Sequence, residues 1–198
     1  MSVRSEAAAQ TRDKLLDHAL TLFSQRGFAA TSVRDIIHAA GVTQPTLYYH
    51  FRDKTDLFQS LIQHHYAASQ KQLKQIIDTV TSCEARLRTL ASRSFEFCIA
   101  DPRVPRLMFQ SYFGPPVAEI DGILDELTDQ RFRLVTRIMQ DAIHAKELKD
   151  AHAEFLALSF CCLMDQPINL FSRKPKPARY LTLELAESIV HLFLKGAG

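Results

Sequence analysis

The sequence predicts an all-α protein: an N-terminal three-helix domain of helix-turn-helix pattern, then a larger helical domain. Glycine is scarce, with 6 in 198 residues, and Trp is absent. Long stretches are rich in Ala, Leu, Gln, Lys and Arg with few β-branched runs, which favours helix over strand. Apolar residues make up 46% and charged residues 23%, an ordinary globular balance and not a disordered one.

The first helix is expected from about Ala7 to Arg26. Leu15, Ala19, Leu22 and Phe23 recur at i, i+4, i+7 and i+8, and Leu16 and Leu20 widen the stripe. Gly27 stops it, with Arg26 in the last turn where a cation is favoured. Thr31 and Ser32 offer hydroxyls as N-cap for a second helix, Val33 to Ala40, which Gly41 ends. Thr43 caps a third helix reaching about His50, with Pro45 in the first turn, where its missing N–H costs nothing. Two short helices joined by a Gly turn and backed by a longer one form a helix-turn-helix pattern. Ile36, Ile37, Ala40, Val42, Leu47 and Phe51 are placed to close a core with Leu15, Ala19 and Phe23. Thr43, Gln44, Thr46, Tyr48, Tyr49 and His50 are left outside. None is an acid, which suits a polyanion.

Further along, Lys54-Thr55-Asp56 opens a long helix to about Val80. Thr81 with Glu84 reads as a capping box for a helix ending near Ala100. A shorter helix runs from Asp101-Pro102 to about Phe113, and Gly114-Pro115-Pro116 is a clear break. Helices are expected at about 117–146, 151–171 and 178–195, making about nine in all. The domains divide at 1–54 and 55–198.

Charge and cysteine usage bound the function. Residues 1–55 hold seven Lys/Arg against five Asp/Glu, so the whole net charge of +2 lies in that segment. No segment reaches the roughly 18 uncharged apolar residues of a membrane span, and the N-terminus lacks a signal-peptide core. Cys83, Cys98, Cys161 and Cys162 form no CxxC and lie in apolar helical sequence, as small buried hydrophobes do. A reduced, cytoplasmic protein is the reading.

Residues 11–60 resemble the DNA-binding domain of the tetracycline-repressor (TetR) family. The resemblance is carried by Leu16, Ala19-Leu20, Phe23, Gly27-Phe28, Thr31 to Ile36, Ala39 to Val42, Thr46 to Phe51, Lys54 and Leu57. Where many members have Lys-Gly or Arg-Gly, this chain has Gln44-Pro45. Beyond residue 60 only the helical layout is similar. The resemblance implies that Arg34 reaches a base edge or phosphate, and that Thr43, Gln44, Pro45 and Thr46 face the major groove. It gives Tyr48, Tyr49, His50 and Lys54 to the phosphate backbone. The chemistry agrees: Gln pairs with adenine, Pro and Thr methyls suit thymine methyls, and Arg suits guanine. Tyr, His and Lys donors suit phosphate oxygens.

Other constellations carry less. His64-His65 point about 100° apart on a helix and lack an i,i+4 partner, so no metal site is expected. Cys161-Cys162 has the same problem, and core packing outweighs a redox switch. The run Asp125-Glu126, Asp129, Arg131, Arg133, Arg137 is read as a solvated face with i,i+4 pairs. No Gly-rich phosphate loop, GxSxG or HExxH is present, so neither an enzyme nor a cofactor is expected.

Residues 155–171 and 180–193 are apolar around more than one face, which calls for a two-fold partner. Leu163, Ile189 and Phe193 are the candidate interface residues of this homodimer. Phe95, Met108, Phe109, Tyr112 and Phe132 surround the Gly-Pro-Pro break. Singly each suits a core; together, as the resemblance implies, they line a pocket for a small apolar or aromatic effector. The function read from the sequence is a dimeric repressor that leaves a palindromic double-stranded operator when the effector binds. Its alternative is a redox-responsive repressor or activator of the same fold.

Overall fold

The computed structural model describes residues 3–149 and 152–197 of the 198-residue chain. It is all-α, with no strand among the described residues. The helices are α1 (Val3–Arg26), α2 (Val33–Ala40), α3 (Gln44–His50), α4 (Lys54–Ile62), α5 (Ala68–Thr79), α6 (Cys83–Ala100), α7 (Arg103–Phe113), α8 (Ala118–His144), α9 (Ala153–Phe171) and α10 (Leu183–Ala197). A π-helical turn (Gln63–Ala67) lies between α4 and α5, and a 3-10 turn (Pro177–Arg179) precedes α10.

Two compact units emerge. The first contains the chain up to Ala67 together with Arg106–Leu124; the second contains Ala68–Pro105 and the chain from Asp125 onward. In the first, α1 packs on α2 and α4, and α2 on α3. Leu15, Leu16, Ala19, Leu20, Phe23, Ile36, Ala40, Leu47 and Phe51 are buried there, while Ile37 and Val42 are only half-buried. Two rings complete that core. Phe23, Phe28 and Phe58 form a mutual cluster with centroids 5.4–5.6 Å apart. Rings at that spacing add about 0.5–1.5 kcal/mol per pair beyond the area they bury.

In the second unit α10 lies along α6 and α9, and α5 packs on α6. Leu87, Leu90, Phe95, Val135, Met139, Phe160, Val190 and Phe193 make its core. Among the described residues no helix is long and apolar enough to cross a membrane.

Three local expectations change. The helix expected from Lys54 to Val80 is interrupted, because the backbone widens into i→i+5 pairing at Gln63–Ala67, where the first compact unit ends. The cap of α6 is Ser82 and not Thr81: Ser82 Oγ accepts from the Ala85 N–H at 3.3 Å, which starts the helix one residue later. The charged run on α8 is only partly an i,i+4 face. Arg133 meets Asp129 that way, but Arg131 reaches Asp165 on α9 and Arg137 reaches Asp78 on α5.

Candidate nucleic-acid interface

The short helices α2 and α3 form because their ends are satisfied by side chains. Ser32 Oγ accepts from the Asp35 N–H at 3.1 Å, and the Asp35 carboxylate accepts from the Ser32 N–H at 2.9 Å, a reciprocal capping box. The same carboxylate accepts from Ser32 Oγ at 2.6 Å, and that bond, with the one from the Ser32 N–H, holds the Asp35 carboxyl below its usual pKa. Gly41 closes α2 in the left-handed conformation at φ 61°, where a Cβ would be strained. Thr43 Oγ1 then accepts from the Thr46 N–H and shares a 2.8 Å hydrogen bond with Thr46 Oγ1. Pro45 fills the first turn of α3, and buried Leu47 anchors the helix to the core.

That anchoring decides what faces outward. Thr43, Gln44, Pro45, Tyr48 and Tyr49 are exposed, with Tyr49 at 78%, and Arg34 on α2 is exposed too. Thr46 and His50 are half-exposed. Tyr49 and His50 meet edge to face at 5.0 Å. Burial, together with the Arg12 charge, pushes the His50 pKa down, so its ring is neutral at pH 7. Arg12 itself lies over the Phe51 ring at 5.4 Å. The solvent side of α3 thus offers amide, hydroxyl and ring groups without a carboxylate.

The turn from α1 to α2 is held by side chains from elsewhere. Gly27 adopts φ 82° and its N–H returns to Phe23 O at 2.8 Å. Thr31 Oγ1 donates to Gly27 O at 2.8 Å. Lys54, at the start of α4, donates from Nζ to Phe28 O at 3.0 Å and to Thr31 O at 3.1 Å, with its ammonium 4.1 Å from the Phe28 ring centroid. Lys54 is therefore half-buried and spends two of its three N–H donors inside the fold.

Residues 15–61, from the first buried turn of α1 to the end of α4, match the model for bacterial regulatory proteins of the tetR family. The match is confined to that N-terminal segment of the 198-residue chain. Among curated relatives it is 31% identical over 131 residues to the transcriptional activator FasR of Mycolicibacterium smegmatis, a match covering 65% of this chain and 60% of that one. It is 39% identical over 88 residues to the repressor KstR2 of the same organism, covering 44% of this chain and 43% of that one. The matches thus span about half the length of those relatives. Among solved structures, the regulator FadR from Bacillus subtilis in complex with stearoyl-CoA has a TM-score of 0.79 at 16% identity, covering 93% of this chain and 98% of that one. KstR2 of Mycobacterium tuberculosis has 0.73 at 19%, covering 94% of each. At that identity the likeness is one of fold.

The other candidate residues are placed as follows. In the first unit, Met108 and Phe109 on α7 are half-buried and Tyr112 is 43% exposed; Phe109 stacks on Phe113 with centroids 6.0 Å apart. In the second, Phe95 is buried and Phe132 half-buried. Ile189 and Phe193 are buried within the chain and Leu163 half so. The exposed apolar groups of those helices are instead Phe155, Leu158 and Leu170 on α9 and Leu183 and Leu192 on α10. Cys83, Cys98 and Cys161 are buried, whereas Cys162 is exposed, against the expectation that all four pack inside. It stands at i+7 from Phe155, on the apolar face that α9 turns outward. Burial pushes the Cys98 thiol up to about 12 and those of Cys83 and Cys161 to about 11. Among the described residues no group of three His, Cys, Asp or Glu could hold a metal. The reading of the sequence missed Arg12, Phe28, Phe58 and Gln110, whose partners lie far away in the chain.

Proposed function

We propose that this chain is a dimeric, sequence-specific transcription repressor that leaves its operator when a small apolar or aromatic ligand binds. The observation that carries the reading is the outer side of α3. A seven-residue helix pinned by Leu47 presents Gln44, Pro45, Tyr48 and Tyr49 to solvent, with no acid among them. In this reading Arg34, Thr43, Gln44, Pro45 and Thr46 meet the major groove. Tyr48, Tyr49 and His50 donate to phosphates. Lys54 keeps one N–H beyond those given to Phe28 and Thr31, enough for one phosphate oxygen. Residues 1–54 act as the DNA-binding domain and 55–198 as the effector and dimerisation domain.

Dimerisation is supported by the exposed apolar side of α9. Phe155, Leu158 and Cys162 recur at i, i+3 and i+7, and Phe155 is 67% exposed. Phe193 packs edge to face on buried Phe160 of α9 at 5.2 Å, Ile189 is buried one turn before it on α10, and half-buried Leu163 adjoins Cys162. Two half-sites one helical turn apart, roughly 34–36 Å, then require a palindromic operator. Met108, Phe109 and Tyr112, on the α7 segment of the first unit, are proposed to receive the ligand. Two relatives are named as regulators of opposite sense, FasR an activator and KstR2 a repressor. Repression is proposed here, the sense in which KstR2 is named. A redox role is disfavoured at Cys83, Cys98 and Cys161, where burial raises the thiol pKa and suppresses the reactive thiolate.

Selection of duplexes from a random pool by the full-length chain tests the proposal. A palindromic consensus with half-sites about 10 base pairs apart is expected. Recovery of sequences with no common element would refute it.

A further inference from the structure

Gln110, on α7, touches the end of α1. With its amide oriented so that each atom meets a complementary partner, Nε2 donates to Ser24 O at 3.2 Å and Oε1 accepts from the Gly27 N–H at 3.3 Å. Ser24 O is one of the last carbonyls of α1, a group that a helix end leaves without an intrahelical donor. The Gly27 N–H already returns to Phe23 O, so Gln110 makes that bond three-centred. The fit is close. A Cβ on Gly27 would stand 3.3 Å from the Gln110 amide, so the glycine at φ 82° both reverses the chain and leaves room for this side chain.

The next carbonyls along the turn are also taken by side chains: Gly27 O by Thr31, and Phe28 O and Thr31 O by Lys54. Gln110 and Lys54, on two different later helices, therefore grip opposite ends of one eight-residue turn. That turn delivers the chain to Ser32, which caps α2, and α2 carries α3 through the Gly41 turn. From Arg106 onward α7 belongs to the same compact unit as α1 to α4.

We infer that Gln110 is a positioning residue for DNA recognition: its amide latches α7 to the α1–α2 turn and so fixes where α2 and α3 stand. The inference rests on the proposed DNA binding. It adds to that reading a route by which a shift of α7 reaches the recognition helix without passing through α4. Gln110 needs no contact with DNA for this, and its loss removes no phosphate partner.

The test uses the full-length chain, the duplexes it selects from a random pool, and the variants Gln110→Ala and Gln110→Glu. Losing about one hydrogen bond's worth of positioning, Gln110→Ala is expected to bind the selected duplex about 3- to 10-fold more weakly. Its affinity for random duplex and its salt slope should stay as in wild type, because the phosphate contacts remain. Gln110→Glu keeps the shape but, ionised, cannot donate to Ser24 O; protonated, it can. Its defect at pH 8 should match that of Gln110→Ala and shrink toward wild type as the pH falls to about 5, near the carboxyl range that the facing carbonyl raises. Each value is taken as a ratio to wild type at the same pH, and thermal melts confirm that each variant is folded. Should Gln110→Ala fail to fold, the isosteric Gln110→Glu carries the test alone. A Gln110→Glu defect that stays flat with pH, or no defect in a chain that selects its duplex normally, would overturn the latch. A wild-type chain that selects no sequence would overturn the DNA-binding reading and the latch with it.

Discussion

The guanidinium of Arg131 and the carboxylate of Asp165 meet fork to fork, with both N–O distances 2.6 Å, and join α8 to α9. Both side chains are about three-quarters buried, at 28% and 23% exposure. Paired planar forks are the strongest geometry available to an ion pair, but withdrawing two charges from water offsets most of the gain. Removing Asp165 takes the paired carboxylate from a guanidinium that stays partly buried. Asp165→Ala is therefore expected to lower unfolding free energy by about 1–3 kcal/mol, below the fully buried range because water still reaches the pair. The double change Arg131→Met with Asp165→Leu should cost less than either single one. Urea titration of the three variants checks this; a double variant as weak as the sum of the singles would contradict it.

His50 gives the DNA interaction a pH dependence. In the free protein its pKa is pushed down, first by burial and then by Arg12, so the ring is neutral at pH 7. A phosphate beside the ring favours the charged form and raises the pKa in the complex. Binding then takes up a proton. Operator affinity should rise as pH falls from about 8 toward 6, by at most about tenfold per pH unit for one proton. In His50→Gln that slope should diminish. An equal slope in both proteins would remove His50 from the phosphate backbone.

Cys162 reports on the proposed dimer. It lies on the outward apolar side of α9 with Phe155 and Leu158, while Cys83, Cys98 and Cys161 are buried. In a dimer closed over that side, no thiol should react quickly with an aromatic disulfide reagent under native conditions. In Leu158→Arg, which places an unpaired cation in the interface, the chain should sediment as a monomer and one thiol should react at once. A wild-type chain with one fast thiol at micromolar concentration would place the interface elsewhere.

The helix-turn-helix was legible because its signals are local. The Ser32 hydroxyl, Gly41, and Thr43 with Pro45 each act within four residues, and every one appears as a cap or turn in the structure. The same holds for the outer residues of α3, whose direction follows from the burial of Leu47. Long-range partners left no such trace. Nothing near Phe28 indicates that its ring meets Phe58 and the Lys54 ammonium. Arg131 has acids at Asp125, Glu126 and Asp129 on its own helix, yet it pairs with Asp165, 34 residues away. Gln110 looks like any polar residue of an amphipathic helix until α1 is placed beside it. Cys161 and Cys162 differ only in the side of α9 they occupy, which is set by how α9 packs on α6 and α10.

The central claim is that α3 reads bases and does not merely attract a polyanion, and Gln44 tests it most directly. Gln44 is exposed in the first turn of α3, where its amide is free to pair with an adenine edge. The decisive measurement compares wild type and Gln44→Ala on the selected operator, on its single-base variants and on random duplex, at one salt concentration. The account predicts a loss of about 1–3 kcal/mol on the operator, relaxed preference at one base pair per half-site, and unchanged binding to random duplex. An equal loss on operator and random duplex, with base preferences intact, would contradict it.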